Sequence, residues 1–469
     1  MWVFGKRSMG RYVTRMWPPG GAHEYGAYVP HPLVGWEPSL SRRVRDRIAS
    51  ADADILDALA TTTANRSYQW AADSIMAQGE SLSSSAIEGI FTSLEGMSMS
   101  GGEGGDPSSR AAVGNWEMLE QALGIAESGE PLTVDRLCDL HDTLMAKTPS
   151  PQHGGRLRSG PIWIGAPAVS GMGPIGAQFV PPPAEEIRPL LGDLLDYINH
   201  SGHSPVLKAA VTHAQFETIH PFPDGNGRIG RALIPIALFG GQGQYAIHLP
   251  ISRNILADRP RYYAALQHSH WEGPPHDPQR GAALEPRIGM FADCAQEAAE
   301  QVRAAAALTE RLMVDWLQRL GGTRHDSAVW KIASEIPFQP VFTADTLFAA
   351  LEGRTSITAI RRGIGDLAKA NIVKKMGNSG KTQVWRAAEI VEIAEKVLRT
   401  SDIASAASQT LQRIDAGGVA PAAMSGTGKR ARSTEKSHRG NAWQCSRKSS
   451  RSSNRCVLPV DHEGRHRYE

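Results

Sequence analysis

The sequence predicts a mainly α-helical protein with one β-hairpin inserted in it and a small winged helix-turn-helix unit near its end. Three observations carry this. Apolar residues recur at helical spacing through most of the chain up to about Leu320. Strand-like runs are confined to short stretches around Ile162–Ile164 and Gln178–Val180. Residues 326–386 then place three short helical patterns ahead of two strands around a Gly/Ser turn.

Along the chain, a Pro/Gly-rich lead gives way to "SLSRRVRDRIASADADILDALAT", where Val44, Ile48, Ile55 and Leu59 mark one helical face. A second helix is expected over "ADSIMAQGESLSSSAIEG", and residues 98–109, "SMSGGEGGDPSS", read as a break. Trp116, Leu119, Leu123 and Ala126 form the next helical stripe, and Leu137, Leu140 and Leu144 another, capped by Thr133. The strands Ile162-Trp163-Ile164 and Gln178-Phe179-Val180 flank a Gly/Pro loop, which suggests a hairpin. The triple proline after it starts a helix through "LLGDLLDYINH". Ser204-Pro205 opens another, with Leu207, Ala210, Val211, Ala214 and Thr218 on one face. "IGRALIPIALFG" is a further apolar helix, which Pro235 is expected to kink or end. Helices resume at Tyr262 and run to about Leu320.

The chain has 469 residues, enough for two or three domains, with a mean hydropathy of −0.30. No apolar run approaches bilayer length, and the basic N-terminus lacks the apolar segment and cleavage site of a secretory leader. A cytoplasmic protein without membrane contact is the expectation. Four cysteines are too few for a disulfide scaffold. Residues 425–469 hold 11 Lys+Arg against 4 Asp+Glu, a net +7, which leaves −5 on the rest. So the tail is basic and is expected to be disordered, while the body is mildly acidic.

The densest chemistry is "HPFPDGNGRIGR", residues 220–231. Gly225 and Gly227 free the backbone for a tight turn and for close approach of a ligand. A helix beginning near Asn226 would aim its free N–H groups at that turn, a ready anion site. Arg228 and Arg231, three residues apart, project from one helical face and suit a polyphosphate. Asp224 would repel such an anion unless a divalent cation bridged them, which points to Mg²⁺ or Mn²⁺. His220 is the nearby group able to take a proton from an attacking hydroxyl near neutral pH.

At this point the chain resembles the Fic family, whose signature H-P-F-x-[D/E]-G-N-G-R-x-x-R is matched throughout residues 220–231. "GGRLR", "FVPPP", "HAQFETI" and "RYYAAL" extend the similarity across residues 30–310. The resemblance implies transfer of AMP from ATP to a Ser, Thr or Tyr hydroxyl of a target protein or of the chain itself. In it His220 is the base, Asp224 holds Mg²⁺, and Gly225, Asn226, Gly227, Arg228, Gly230 and Arg231 hold the phosphates. Tyr262 and Tyr263 are candidates for the adenine pocket, with His270 where some relatives carry asparagine. Ile162, Trp163, Gln178, Phe179 and Val180 form a flap that docks an extended target segment. "SSAIEG" matches the family's inhibitory pattern, so Glu88 is expected to pair with Arg231 and displace the γ-phosphate. Removal of AMP stays open as a second reaction, as does transfer of UMP or phosphate.

On this reading residues 1–110 are an N-terminal helical region with the inhibitory helix, and 111–320 the catalytic core. Residues 326–398 are the winged helix-turn-helix, and 399–469 the tail. In the winged helix, Arg361, Arg362, Lys374, Lys375 and Lys381 suit DNA phosphates, while protein contacts and homodimers suit the same module equally. Cys445, Cys456, His462 and His466 are formally a zinc set, but a tail without a core favours no zinc site. The competing reading is a DNA-binding regulator that senses nucleotide through an inactive core.

Overall fold

The computed structural model describes residues 10–399 except 19, 22, 65–67, 101–104, 166–172, 241–245, 268–269, 323, 325–326, 353 and 380–381. In the tail it adds β6 (Cys456–Val457) and β7 (Arg467–Tyr468), which pair antiparallel. The side chains of Lys381, Cys445, Cys456, His462 and His466 lie outside the described residues, as does the rest of the tail. Cys138 and Cys294 are free thiols. Among the described residues no helix is long and apolar enough to cross a membrane.

The chain divides into two compact units. Unit one takes Met1–Asp57, Ser83–Ile90 and Gly114–Ala299; unit two takes Ala58–Leu82, Phe91–Val113 and Glu300–Glu469.

Unit one is built on α5 (Val134–Met145), α6 (Ala184–His200), α7 (Pro205–Ile219) and α8 (Asn226–Phe239). The Thr133 hydroxyl caps α5 by accepting Arg136 N–H at 3.3 Å, and Leu137, Leu140 and Leu144 turn inward as their spacing predicts. Pro205 sits at the first turn of α7, where its missing N–H costs nothing, although Ser204 makes no side-chain cap bond. The one-sided stripe expected for α7 understates its burial: Val206, Ala209, Thr212, His213 and Phe216 are buried too. A helix enclosed by neighbours is apolar nearly all round, which hides its period. Pro235 does not end α8, which runs on to Phe239. Two shorter helices, α9 (Ile251–Ala257) and α10 (Arg259–Gln267), follow, and α9 begins before the expected restart at Tyr262.

Two corrections concern β structure. The Pro/Gly-rich lead is an antiparallel hairpin, β1 (Arg11–Trp17) with β2 (His23–Val29), registered from Arg11↔Val29 to Trp17↔His23. Its strands are mostly solvent-facing, so no buried alternation announces them. Among the described residues the hairpin expected over 162–180 shows one antiparallel bridge, Ile164↔Phe179, with N···O distances of 2.8 and 3.2 Å. The far edge of the 178–180 segment is taken by β2: Tyr28 N–H donates to Val180 O at 2.9 Å. Trp17 meets Trp163 edge-on at 5.7 Å.

Unit two contains α12 (Ala328–Glu335), β3 (Val341–Phe342), α13 (Ala344–Ala350), α14 (Ile357–Lys369), β4 (Lys374–Ser379), β5 (Thr382–Arg386) and α15 (Ala388–Arg399). The three helices pack on one another, and the sheet order is β3-β5-β4. β3 is too short for sequence alternation to reveal it. Upstream, α3 (Leu94–Met99) occupies the start of the expected break, and α4 (Pro107–Ser128) ends it. Asp106 stops the loop by accepting Ser109 N–H at 3.1 Å. The remaining long helices are α1 (Arg42–Ala64), α2 (Gln69–Ile87) and α11 (Pro278–Arg319).

In unit one α7 packs closely against α8. A Cβ at Gly230 would lie 2.5 Å from Glu217 Oε1, 3.1 Å from His213 Nδ1 and 3.2 Å from Phe216 Cδ1. Gly230→Ala should therefore destabilise the protein by about 1–3 kcal/mol through overpacking. Thermal denaturation against wild type checks this; an unchanged Tm contradicts the seam.

Candidate functional site

The site forms where α7 ends and α8 begins. α7 closes with His220 in the left-handed region at φ 49°, and Gly225 enters α8 at φ 74°. A non-glycine residue at positive φ needs outside support. Arg158 supplies it, its Nε donating to His220 O at 2.7 Å and its Nη2 to Ile219 O and Pro182 O. Its own N–H donates to Pro221 O at 2.9 Å. Arg158 is buried, and that burial, opposed only weakly by Tyr25 and Glu185, draws its pKa down to about 10.

His141 of α5 holds the other side. Its ring stacks on Phe222 at 3.8 Å, Gly155 N–H donates to Nδ1 at 3.1 Å, and Nε2 lies 3.0 Å from Asp224 O. A carbonyl only accepts, so Nε2 carries the proton and the imidazole is neutral. Burial agrees, pushing its pKa down to about 4. Asn226 completes the turn: its Oδ1 accepts Phe222 N–H and its Nδ2 donates to Phe222 O, both at 2.8 Å. The Asn226 side chain is thus committed to the loop, and only its backbone N–H faces an incoming anion.

His220 Nδ1 lies 3.3 Å from the carbonyl of Glu217. By the same reasoning Nδ1 carries the proton and Nε2 presents a lone pair. Burial lowers its pKa to about 4, so the base form prevails at neutral pH. Asp224 is exposed at the turn, with Oδ1 accepting Gly225 N–H at 2.6 Å. Among the described residues no set of three His, Cys, Asp or Glu gathers round a common point. A cation here would rest on one carboxylate plus ligand oxygens, which is how Mg²⁺ is commonly held.

Arg228 and Arg231 are 3 % and 1 % exposed. Arg231 Nε donates to Ser84 Oγ and its Nη2 to Ser84 O, both at 2.9 Å, while Nη2 also meets Glu88 Oε1 at 2.8 Å. Glu88 lies just beyond the last residue of α2, with its carboxylate over the first turn of α8: a Cβ at Gly227 would overlap Glu88 Oε1. Buried N–H groups without a partner remain at Arg228 Nε and Nη1 and Arg231 Nη1. Burying unpaired guanidinium donors is costly, so this is a site shaped for an anion.

Other expected residues fall elsewhere. Gly230 lies in the α7–α8 seam, not at the anion site, because its missing Cβ faces Glu217. Tyr262 is 2 % exposed and stacked on His213 within the core, its hydroxyl 3.1 Å from His213 Nε2. So Tyr262 cannot line an open adenine pocket. Tyr263 is 41 % exposed and donates to Ile87 O at 3.4 Å, with Arg259 over its ring. His270 stacks on Phe179 at 4.3 Å. Four contributors were given no role in the sequence reading: Ser84, His141, Arg158 and Glu217. Ser84, Arg158 and Glu217 stood in "SSAIEG", "GGRLR" and "HAQFETI" and had a signal there; His141 becomes visible only when distant segments meet.

Glu217 lies beneath Arg231 and His213. Burial raises its pKa to about 7 even though Arg231 pulls it down. His213 is driven well below its usual value by burial and by Arg287 and Arg231. Three histidines thus refuse protons that the unfolded chain accepts below about 6.5. Stability should be full above that pH and drain as it falls toward about 4, the folded value for His141 and His220. Glu217 acts in reverse, costing stability as pH rises from about 4.5 to about 7, and so offsets one histidine. Chemical denaturation from pH 7 to 4.5 should show the fall. His213→Gln should flatten it by ~1.4 kcal/mol per pH unit; an equally steep curve contradicts the buried neutral imidazole.

Comparison with known proteins places this geometry. The family model described as Fic/DOC matches residues 131–238. The protein adenylyltransferase fic-1 of Caenorhabditis elegans is 25 % identical over 145 residues, covering 30 % of this chain and 25 % of that protein. A probable protein adenylyltransferase of Aquifex aeolicus is 43 % identical over 60 residues, 13 % of this chain and 19 % of its own length. The chain thus spans about a quarter or less of each of these two relatives. Among solved structures, a Fic family protein from Desulfovibrio desulfuricans is 20 % identical with a TM-score of 0.45, covering 75 % of this chain and 98 % of that one. The Fic/DOC family model thus matches a domain of this chain, residues 131–238, which holds the complete signature turn and runs from α5 to α8.

Proposed function

We propose that this protein is a protein adenylyltransferase held in check by its own Glu88. The observation that carries the reading is one helix start, which holds an imidazole with a free Nε2 lone pair and two buried arginines with N–H groups at Arg228 Nε and Nη1 and Arg231 Nη1 that have no acceptor. In the proposed reaction a target hydroxyl oxygen attacks the α-phosphorus of ATP. The bond from that phosphorus to the bridging oxygen breaks, pyrophosphate leaves, and the hydroxyl proton passes to His220 Nε2. The N–H groups at the start of α8 and the free donors of Arg228 would hold the phosphates. Asp224 would hold Mg²⁺ or Mn²⁺, which when bound neutralises phosphate charge. The 162–164 segment, bridged to Phe179 on one side, would present its outer edge to an extended target segment, since β2 already takes the far edge of 178–180. The distant homology to named adenylyltransferases supports the same activity.

The brake follows from occupancy. Glu88 sits over the turn that the phosphates need and holds Arg231, which Ser84 also fixes. A γ-phosphate and this carboxylate are both anions and compete for one guanidinium. Arg231 is buried and cannot swing out to water to serve both. Incoming ATP is therefore held in a pose unsuited to transfer until Glu88 moves.

With α-³²P-ATP and Mg²⁺, Glu88→Gly should label itself or added protein about tenfold or more above wild type, the scale of losing one charge-assisted contact. His220→Ala placed on that background should lower labelling by about 10²–10⁴. Label that survives loss of His220 would overturn the catalytic assignment. Equal labelling by wild type and Glu88→Gly would remove the brake alone.

Acid inactivation should be late. The working form is the neutral imidazole, and its fraction falls only as pH drops through about 4. Labelling by Glu88→Gly should hold level from pH 8 to 6 and decline below about 5; a limb centred at the ordinary histidine value of about 6.5 contradicts a buried base.

A further inference from the structure

Helix α14 turns Ile360, Gly363, Ile364 and Leu367 inward. Gly363 allows close approach to α12, since a Cβ there would overlap the Ile332 side chain. The opposite stripe is Thr358, Arg361, Arg362, Gly365 and Lys369, at the spacing of one helical face. Thr358, Arg361, Arg362 and Lys369 are exposed, and a Cβ at Gly365 would meet nothing within 4 Å. Among the described residues no carboxylate pairs with Arg361 or Arg362. Lys369 is partly offset by Asp366 at 2.9 Å. Immediately after the helix, β4 opens on Lys374 and Lys375, both exposed.

We propose that this face binds duplex DNA, with α14 in the major groove and the start of β4 on the flanking phosphates. The helix is 13 residues long, about 20 Å, and its outer stripe mixes cations with small residues. Small residues let a helix backbone sink into a groove roughly 12 Å wide. Paired guanidinium forks suit guanine edges and phosphate oxygens. α13 and the short turn before α14 form a helix-turn-helix, which presents its second helix outward. Ser356 caps α14, and no acidic residue lies in its first turn to repel a phosphate. A protein-docking face would centre on large apolar groups. Here those nearby, Phe348 and Met376, belong to α13 and β4. The inference is independent of nucleotidyl transfer.

The test uses the full chain, because the basic segment 425–469 adds its own affinity and has to stay constant. Anisotropy of a fluorescein-labelled duplex of about 24 base pairs is followed between about 50 and 200 mM salt. Wild type should bind and weaken steeply with salt. Arg361→Ala/Arg362→Ala should lower affinity about tenfold or more and reduce the log–log salt slope by about 2. Lys374→Ala/Lys375→Ala, on a separate element, should act in the same direction and stands in if the first variant does not fold. Absence of duplex binding by wild type overturns the proposal, as does wild-type affinity in both variants, which would assign DNA to the tail. Light scattering covers the remaining outcome: a concentration-dependent dimer that both variants abolish, with duplex unbound, gives the face to a second copy and overturns the proposal too.

Discussion

Unit one is organised around a chain reversal that presents two helix ends at the same point. α7 delivers His220 at its C-terminus, and α8 offers its unpaired N–H groups after a short turn. The two helices lie close because glycine occupies position 230, and that closeness determines the width of the turn. A turn this narrow forces His220 into a left-handed backbone, which the loop alone does not favour. Arg158, His141 and Asn226 provide the compensation, each satisfying backbone groups that the reversal exposes.

Electrostatics follow from the same reversal. Arg228 and Arg231 enter the interior because they occupy the first turns of a helix that is buried on nearly every side. Buried cations need anions. Glu217 sits beneath Arg231 within the core, and Glu88 meets it from the solvent side. The side-chain exposures differ sharply, 0 % for Arg231 against 37 % for Glu88, so the carboxylate is the partner with somewhere to go. This asymmetry suits the proposed brake, in which the arginine would stay and the anion would exchange.

Much of this was legible in the sequence because the chemistry is contiguous. Residues 220–231 name the turn, the helix start, both arginines and His220 within one stretch, and "SSAIEG" marks the carboxylate that meets Arg231. What was illegible required long-range contact. His141 and Phe222 are far apart in the chain, and nothing in "CDLHDTL" distinguishes a histidine that stacks on a loop from one that faces water. Tyr262 reads as a pocket residue beside Tyr263, yet helical geometry turns the two apart, one into the core and one to solvent. The β1–β2 hairpin is stabilised by its neighbours and carries little buried alternation of its own.

The sequence by itself therefore determined the helical class, the place of the signature turn and the order of its groups. Those depend on local rules: period, capping and the backbone freedom of glycine. Only the tertiary structure decided which nitrogen of His141 and of His220 bears the proton, that the Asn226 side chain serves the loop, and that Gly230 belongs to a packing seam. Those outcomes depend on which carbonyls and side chains arrive from elsewhere in the chain, and hydrogen-bond partners brought together by folding leave no periodic mark on the residues that receive them.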